Sequence, residues 1–252
     1  MTSLDTDVSR RRRELYESTA GLYTATFHVI WRVGFPHVHV WLTKALRDSS
    51  RILDAGAGSG YWSRHIARSL PRSSVVAMDF SHAYVSRIKQ YIPEDLAVPV
   101  VQGDVTAAPF CSGSFDAILC SGVLDTMPDP VPALSELRRL LKPEAKLLLI
   151  LRAKGSRMST LVERFFRTSI SLFRMITRTG GGGLDPELWS RTAISPRLAA
   201  HAEQAGLVVE DIRYGQILTR AVLRARPRQS SENGGDEGDG IDRGERDDGS
   251  AV

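Results

Sequence analysis

Three carboxylates stand at regular stations in the first half of this chain, each behind a short apolar run: Asp54 in "RILDAGAGSG", Asp79 in "SVVAMDFS" and Asp104 in "VPVVQGDVT". Glycines 56, 58 and 60 follow the first of them. A glycine-rich turn between a strand and a helix lets backbone approach a ligand closely, and the helix start offers N–H groups to it. A phosphate-binding loop needs lysine after its last glycine, but Tyr61 follows Gly60, which excludes that device. The dinucleotide fingerprint spaces its glycines Gly-x-Gly-x-x-Gly, one residue away from the pattern here. Asp54 would repel a pyrophosphate and suits a ligand carrying positive charge and hydroxyls. Asp79 falls about 20 residues on, the interval at which an acid meets ribose hydroxyls in such folds. It can accept from both hydroxyls, Phe80 can lie against a purine, and Asp104 can accept from an exocyclic amine. Together they describe a ligand with an adenosine end and a cationic end. Taken singly, each aspartate serves equally well as a helix or turn cap, and each glycine as a turn residue.

These residues need strands that deliver them to one edge. "RILDA" is followed by a helical pattern over Tyr61–Ser69, and "SVVAMD" by one over Ser81–Tyr91. "VPVVQGD" leads only into a short connection, "FDAILCS" into a helix over Val131–Leu141, and "KLLLIL" follows. Continuous β-branched and leucine-rich runs of this length suit strands covered on both faces, so the reading is a doubly wound α/β fold with a mostly parallel sheet. "SPRLAAHAEQAG" reads as a helix with Ser195 as N-cap, Pro196 at its first position and Gly206 as C-cap; "LVVEDIRY" and "ILTRAVLRA" are two further strands.

Three segments lie outside this alternation. Residues 1–50 read as a helical cover broken at Gly34–Pro36, the main domain runs over 51–227, and 152–183 reads as a helical lid inserted between the fifth and sixth strands. Residues 228–252, poor in apolar side chains and rich in Gly and Asp, read as a disordered acidic tail. The chain of 252 residues carries a formal +4. Its last 22 residues hold eight carboxylates against two arginines, so the remainder carries about +10. A basic body favours anionic partners, although ordinary basic enzymes are as common. Cys111 and Cys120 alone offer neither a disulfide framework nor a metal cluster, and no metal site is expected. With no apolar leader and no run near the ~18 residues that span a bilayer, the expectation is a cytoplasmic protein or one attached peripherally to a membrane from that side.

The segments "ILDAGAGSG", "VVAMDFS", "VVQGDVTAAPFCSGSFDAILCSGVLDTMPDPVPALSELRRLLKPEAKLLLIL" and "AAHAEQAGLVVEDI" resemble, in order and spacing, the class I S-adenosylmethionine-dependent methyltransferases. Within them the resemblance is nearest to the small-molecule type of ubiquinone and menaquinone biosynthesis. It implies a Rossmann-like sheet of seven strands with a reversed last strand and S-adenosyl-L-methionine across the strand carboxyl ends. By position, Ala55, Gly56, Gly58 and Gly60 would contact the methionine moiety, Asp79 the ribose, and Asp104 with Val105 the adenine; Cys120 would border the sulfonium.

Methyl transfer from a sulfonium is an in-line displacement, for which alignment and desolvation supply much of the rate. A base is needed only where the acceptor must lose a proton. The Asn/Asp-Pro-Pro-Tyr/Phe signature of nucleobase and amide methylation is replaced by "CSGVLDTMPD", and no RNA-binding module is appended, which argues against a nucleic acid. Asp125 is a candidate base or orienting group, or a turn cap. His28, His37 and His39 are candidates in the cover, His28 first among them, or packing residues. In the lid, Met158, Leu161, Val162, Phe165, Leu172, Phe173 and Ile176 form one helical stripe flanked by Arg157, Arg164, Arg167, Arg174 and Arg178. That pattern suits an interfacial helix on anionic lipid, or a lid packed on the domain. Both favour a small apolar acceptor, aromatic or lipid-like, methylated on carbon or oxygen. A phospholipid nitrogen and a non-catalytic interaction module are the alternatives.

Overall fold

The computed structural model describes residues 28, 31–32, 35–152, 197–215 and 217–226. All of the cover before Phe35 except residues 28, 31 and 32, the lid at 152–183 beyond its first residue, the Ser195 and Pro196 cap and the acidic tail lie outside the described residues.

Seven strands form one sheet: β1 (Arg51–Ala55), β2 (Ser74–Asp79), β3 (Val100–Gln102), β4 (Phe115–Ser121), β5 (Leu141–Arg152), β6 (Leu207–Tyr214) and β7 (Leu218–Ala225). Their order across the sheet is β3-β2-β1-β4-β5-β7-β6. Strands β1 to β5 pair in parallel, and β7 runs antiparallel to both neighbours, so the expected reversed last strand is present. Among the described residues five α-helices surround the sheet: α1 (Pro36–Leu46), α2 (Tyr61–Ser69), α3 (His82–Tyr91), α4 (Val131–Leu140) and α5 (Leu198–Gln204).

Strand side chains alternate between two cores, because successive residues point to opposite faces. Ile52, Val75, Ala117, Leu119, Leu148 and Ile150 meet Val38, Leu42 and Leu46 of α1 and Trp62 and Ile66 of α2. Leu53, Met78, Ile118, Leu147 and Leu149 face the other way, towards Leu134 and Leu137 of α4 and Leu198 and Ala202 of α5. Full burial of each such leucine or isoleucine is worth roughly 1.5–3 kcal/mol, so the faces are sharply specified. Helix α1 begins with Pro36 at its first position, where a missing N–H costs nothing. It buries Val38, Leu42 and Leu46, the stripe at intervals of four that lays it on α2.

Among the described residues the strand and helix assignments read from sequence hold, with three adjustments. Strand β5 starts at Leu141 rather than near Lys146, and β3 is confined to three residues behind Pro99. The last helix starts at Leu198 with Arg197 as its N-cap; Gly206, with φ +70°, stands beyond its end in the left-handed conformation expected there. Among the described residues no helix is long and apolar enough to cross a membrane.

Candidate functional site

The site grows from the turn between β1 and α2. Both Gly56 N and Ala57 N donate to Met78 O, at 2.8 and 2.9 Å, so the chain swings onto the end of β2 as soon as β1 stops. Gly56, Gly58 and Gly60 have φ of +75°, +55° and +79°, a left-handed conformation that other residues adopt at a cost. Their surroundings differ. A Cβ on Gly56 would lie 2.2 Å from Val123 Cγ2, whereas one on Gly58 would meet nothing within 4 Å. Gly56 is therefore packed under the chain leaving β4, and Gly58 borders open space.

Asp79 ends β2 and ties the turn down. Its Oδ2 accepts from Gly58 N at 2.8 Å and its Oδ1 from Ser81 N at 3.0 Å. Burial pushes its carboxyl up to about 6, against the pull of N–H donors at Ser81, Gly58 and Phe80. Each carboxylate oxygen keeps acceptor capacity for a further donor such as a hydroxyl. Asp54 lies below the glycines on the α2 side of the sheet. Its Oδ2 accepts from Ser63 Oγ of α2, while buried Oδ1 has no hydrogen-bond partner among the described residues. Burial pushes this carboxyl up to about 7, opposed by the Ser63 hydrogen bonds and reinforced by Asp79. A buried acid with an orphaned oxygen beneath an open glycine turn is the donor set that a ligand bearing hydroxyls and a cation requires.

The remaining candidates occupy neighbouring strand ends. Gly103 N donates to Asp79 O at 3.0 Å, which draws the end of β3 against that of β2. Asp104 is exposed, and its Oδ1 accepts from Thr106 N and Thr106 Oγ1 at 2.9 and 2.8 Å; it thus also caps its own turn, while Val105 is buried in the core. Phe80, half-buried, has its carbonyl held by Gln102 Nε2 at 3.2 Å. Cys120 pairs in register with Ala55. Burial, with the carboxyls of Asp54 and Asp125 nearby, drives its thiol well above the usual range, so it is a neutral group of the core at the strand end rather than a nucleophile.

Asp125 sits in the 3-10 turn Leu124–Thr126 after β4. Its Oδ2 accepts from Arg152 N at 2.9 Å, and Arg152 Nη2 donates to its carbonyl at 3.3 Å, which joins the exits of β4 and β5. Burial pushes this carboxyl up to about 6, opposed by Arg152. His28 bonds elsewhere: its Nε2 lies 2.8 Å from Ser59 Oγ in the glycine turn. His37 is exposed, with its ring edge-on to Phe35, and His39 bonds Phe35 and Tyr61.

The fold thus gathers Asp54, the glycine turn, Asp79 and Phe80 into one hydrogen-bonded unit, with Asp104, Val105 and Cys120 on the adjoining strand ends. Ser63 and Ser81, which bond Asp54 and Asp79, and Ser59, which bonds His28, carried no signal in the sequence. Each is an ordinary serine whose partner lies on another element or beyond a turn. Among the described residues, no group of three or more His, Cys, Asp and Glu side chains is gathered as a metal would need.

Residues 53–149 match the protein family described as a methyltransferase domain. A demethylmenaquinone methyltransferase of Clavibacter sepedonicus is 33% identical over 136 residues, 53% of this chain and 52% of that one. An uncharacterised chloroplastic methyltransferase of Arabidopsis thaliana is 35% identical over 101 residues, 38% of this chain and 29% of that protein. This chain therefore spans about half or less of the length of these relatives. A methyltransferase dependent on S-adenosylmethionine from Aquifex aeolicus has the same fold at 19% identity, with a TM-score of 0.55 over 73% of this chain and 87% of that one. The resemblance to class I methyltransferases near the quinone type is borne out, and with it S-adenosyl-L-methionine as the cofactor of such a domain.

Proposed function

We propose that this class I methyltransferase domain transfers the methyl group of S-adenosylmethionine to carbon or oxygen of a small aromatic or lipophilic acceptor of quinol or phenol type. The observation that carries the reading is the unit formed by the glycine turn, Asp79 and the orphaned Oδ1 of Asp54. It offers backbone for close approach, an acceptor for ribose hydroxyls and a buried acid for a cation, all at one end of the parallel strands. The demethylmenaquinone methyltransferase relative supports the acceptor class.

The cofactor supplies an activated methyl group on a sulfonium. The chain's own contribution is placement and proton handling. Asp79 would orient the ribose, Asp104 and Val105 would border the adenine with Phe80 beside it, and Asp54 would face the positive charge. Cys120, neutral and buried, borders the reacting end without competing as a nucleophile. A phenolic oxygen or an activated ring carbon must shed a proton when it takes the methyl group. We assign Asp125 to receive it, since a carboxyl held near 6 is ionised at neutral pH yet basic enough to accept. Bound at the glycine turn, S-adenosylmethionine would give its methyl group to the acceptor and leave as S-adenosylhomocysteine, while Asp125 would take the proton the acceptor sheds.

The test is a calorimetric titration with S-adenosylhomocysteine, followed by transfer of labelled methyl to a panel of quinols, phenols and phosphatidylethanolamine. Micromolar binding, weakened about tenfold or more in Asp79→Asn through loss of a charge-assisted acceptor, and label on quinols or phenols are expected. Binding unaffected by Asp79→Asn would reject the ribose assignment, and label on the phospholipid alone would replace the acceptor class.

A further inference from the structure

The segment before β1 reaches the glycine turn through side chains that the proposed chemistry does not use. His28 Nε2 is 2.8 Å from Ser59 Oγ, and its ring lies 4.2 Å from that of Tyr91 and 5.3 Å from that of Tyr61. His39 Nδ1 donates to Phe35 O at 3.0 Å. Its Nε2 lies 2.7 Å from the Tyr61 hydroxyl. Trp31 meets Trp62 edge-on at 4.9 Å, and Thr43 Oγ1 is 3.2 Å from His65 Nε2.

Ser59 and Tyr61 flank Gly60, the last of the three left-handed glycines. The front of the turn is pinned by Met78 O and Asp79. Its rear half has its side-chain tethers in His28 and His39. Glycines in this conformation resist displacement little, so groups that fix the residue between them decide how well the turn is preformed for a ligand. Burial, with the Arg64 guanidinium nearby, pulls the His28 imidazole below its usual range. A neutral ring can either donate to or accept from the Ser59 hydroxyl.

We propose that His28 is a positioning residue for the cofactor turn: through Ser59, and with His39 holding Tyr61 behind it, the segment before β1 sets the affinity for the adenosyl ligand from outside the pocket. This rests on the cofactor reading above, and it gives His28 a role in place of acid–base catalysis.

The experiment is a double-mutant cycle on the full chain, read by calorimetric titration with S-adenosylhomocysteine and by thermal melting. His28→Phe keeps a ring against Tyr61 and Tyr91 but deletes the hydrogen bond; Ser59→Ala deletes it from the other side; His28→Gln retains an amide that can reach Ser59. Each of the first two is expected to weaken binding about tenfold, with the double variant no worse than either. His28→Gln is expected to recover most of the affinity, and melting temperatures to stay within about 2 °C. Should His28→Phe melt much lower, Ser59→Ala, which leaves the His28 ring on Tyr61 and Tyr91 in place, decides the matter. Wild-type affinity in His28→Phe or Ser59→Ala, or losses that simply add, would overturn the inference while leaving the cofactor reading intact. An intact chain that binds no S-adenosylhomocysteine would reject the cofactor reading itself and the inference with it.

Discussion

Asp54 holds its proton far more tightly in the folded protein than in the unfolded chain, its carboxyl being pushed from 3.8 up to about 7 by burial. The sign of the consequence follows from linkage. The folded state binds more protons between about pH 4 and 7, so stability falls as pH rises through that window. Asp79 and Asp125, pushed up to about 6, act in the same sense. Asp116 and Glu136, drawn down by hydrogen bonds from Lys142 and Arg139, act oppositely and lose their contribution as pH falls. The acids of the site are therefore a cost to the unliganded fold, offset when a cation or hydroxyl donors arrive. Asp54→Asn, which keeps an acceptor for Ser63, is expected to stabilise the free protein by on the order of 2 kcal/mol at pH 7.5. The gain should shrink towards pH 4, while affinity for S-adenosylmethionine drops at least tenfold. Melting curves across pH and titrations at pH 7.5 check both halves; a variant less stable than wild type at pH 7.5 would contradict the first. That Asp54 and Asp79 would stand at neighbouring strand ends was legible, because each closes an apolar run in an open α/β sheet. The bond from Ser63 was not, since it arises only when α2 folds back beside β1.

The glycine turn carries the same lesson at the scale of an element. Its pattern announced a close backbone approach, but the sequence holds no means of telling a glycine that packs from one that borders a ligand. A Cβ on Gly56 collides with Val123, and one on Gly58 meets nothing. Gly58→Ala is thus expected to cost the fold only the left-handed strain, about 1–2 kcal/mol. Gly56→Ala adds overpacking of about 1–3 kcal/mol. Both should weaken S-adenosylhomocysteine binding, but Gly56→Ala should melt clearly lower; equal melting temperatures would remove the distinction. Strands β1, β2 and β4 were legible to the residue because each is an unbroken apolar run between turn signals. Strand β5 was read short because "KPEA" resembles a turn. In the structure Glu144 takes φ +61°, and the ladder to β4 shifts register between Phe115 and Ala117, so an irregular stretch is carried inside a strand. Asp104 shows the reverse: a turn cap was an open reading of it, and in the structure its Oδ1 accepts from Thr106 N and Oγ1.

At the scale of the whole molecule, two opposed helical layers bury a sheet whose parallel strands all deliver their carboxyl ends to one rim. The antiparallel β7 lies between β5 and the edge strand β6 without adding to that rim. Alternation of apolar runs and helical patterns predicted the layers. The strand order and the reversal of β7 were available only through family resemblance, because pairing partners far apart in the chain leave no local trace. Charge is the other property carried by the molecule as a whole. The acidic residues are concentrated after position 230, so the preceding chain is strongly basic despite a formal total of +4. A quinol or phenol with a lipid tail resides in a membrane, and a basic protein reaches an anionic surface by an attraction that salt screens over about 8 Å at physiological strength. Cosedimentation with vesicles containing anionic lipid is therefore expected at low salt, fading as salt is raised and absent on neutral vesicles. Deleting residues 228–252 removes charge of the same sign as the lipid and should increase the bound fraction at a given salt concentration. Equal binding to neutral vesicles would mean that contact is apolar rather than electrostatic. No binding to either, with methyl transfer to a soluble quinol intact, would place the acceptor encounter away from the membrane surface.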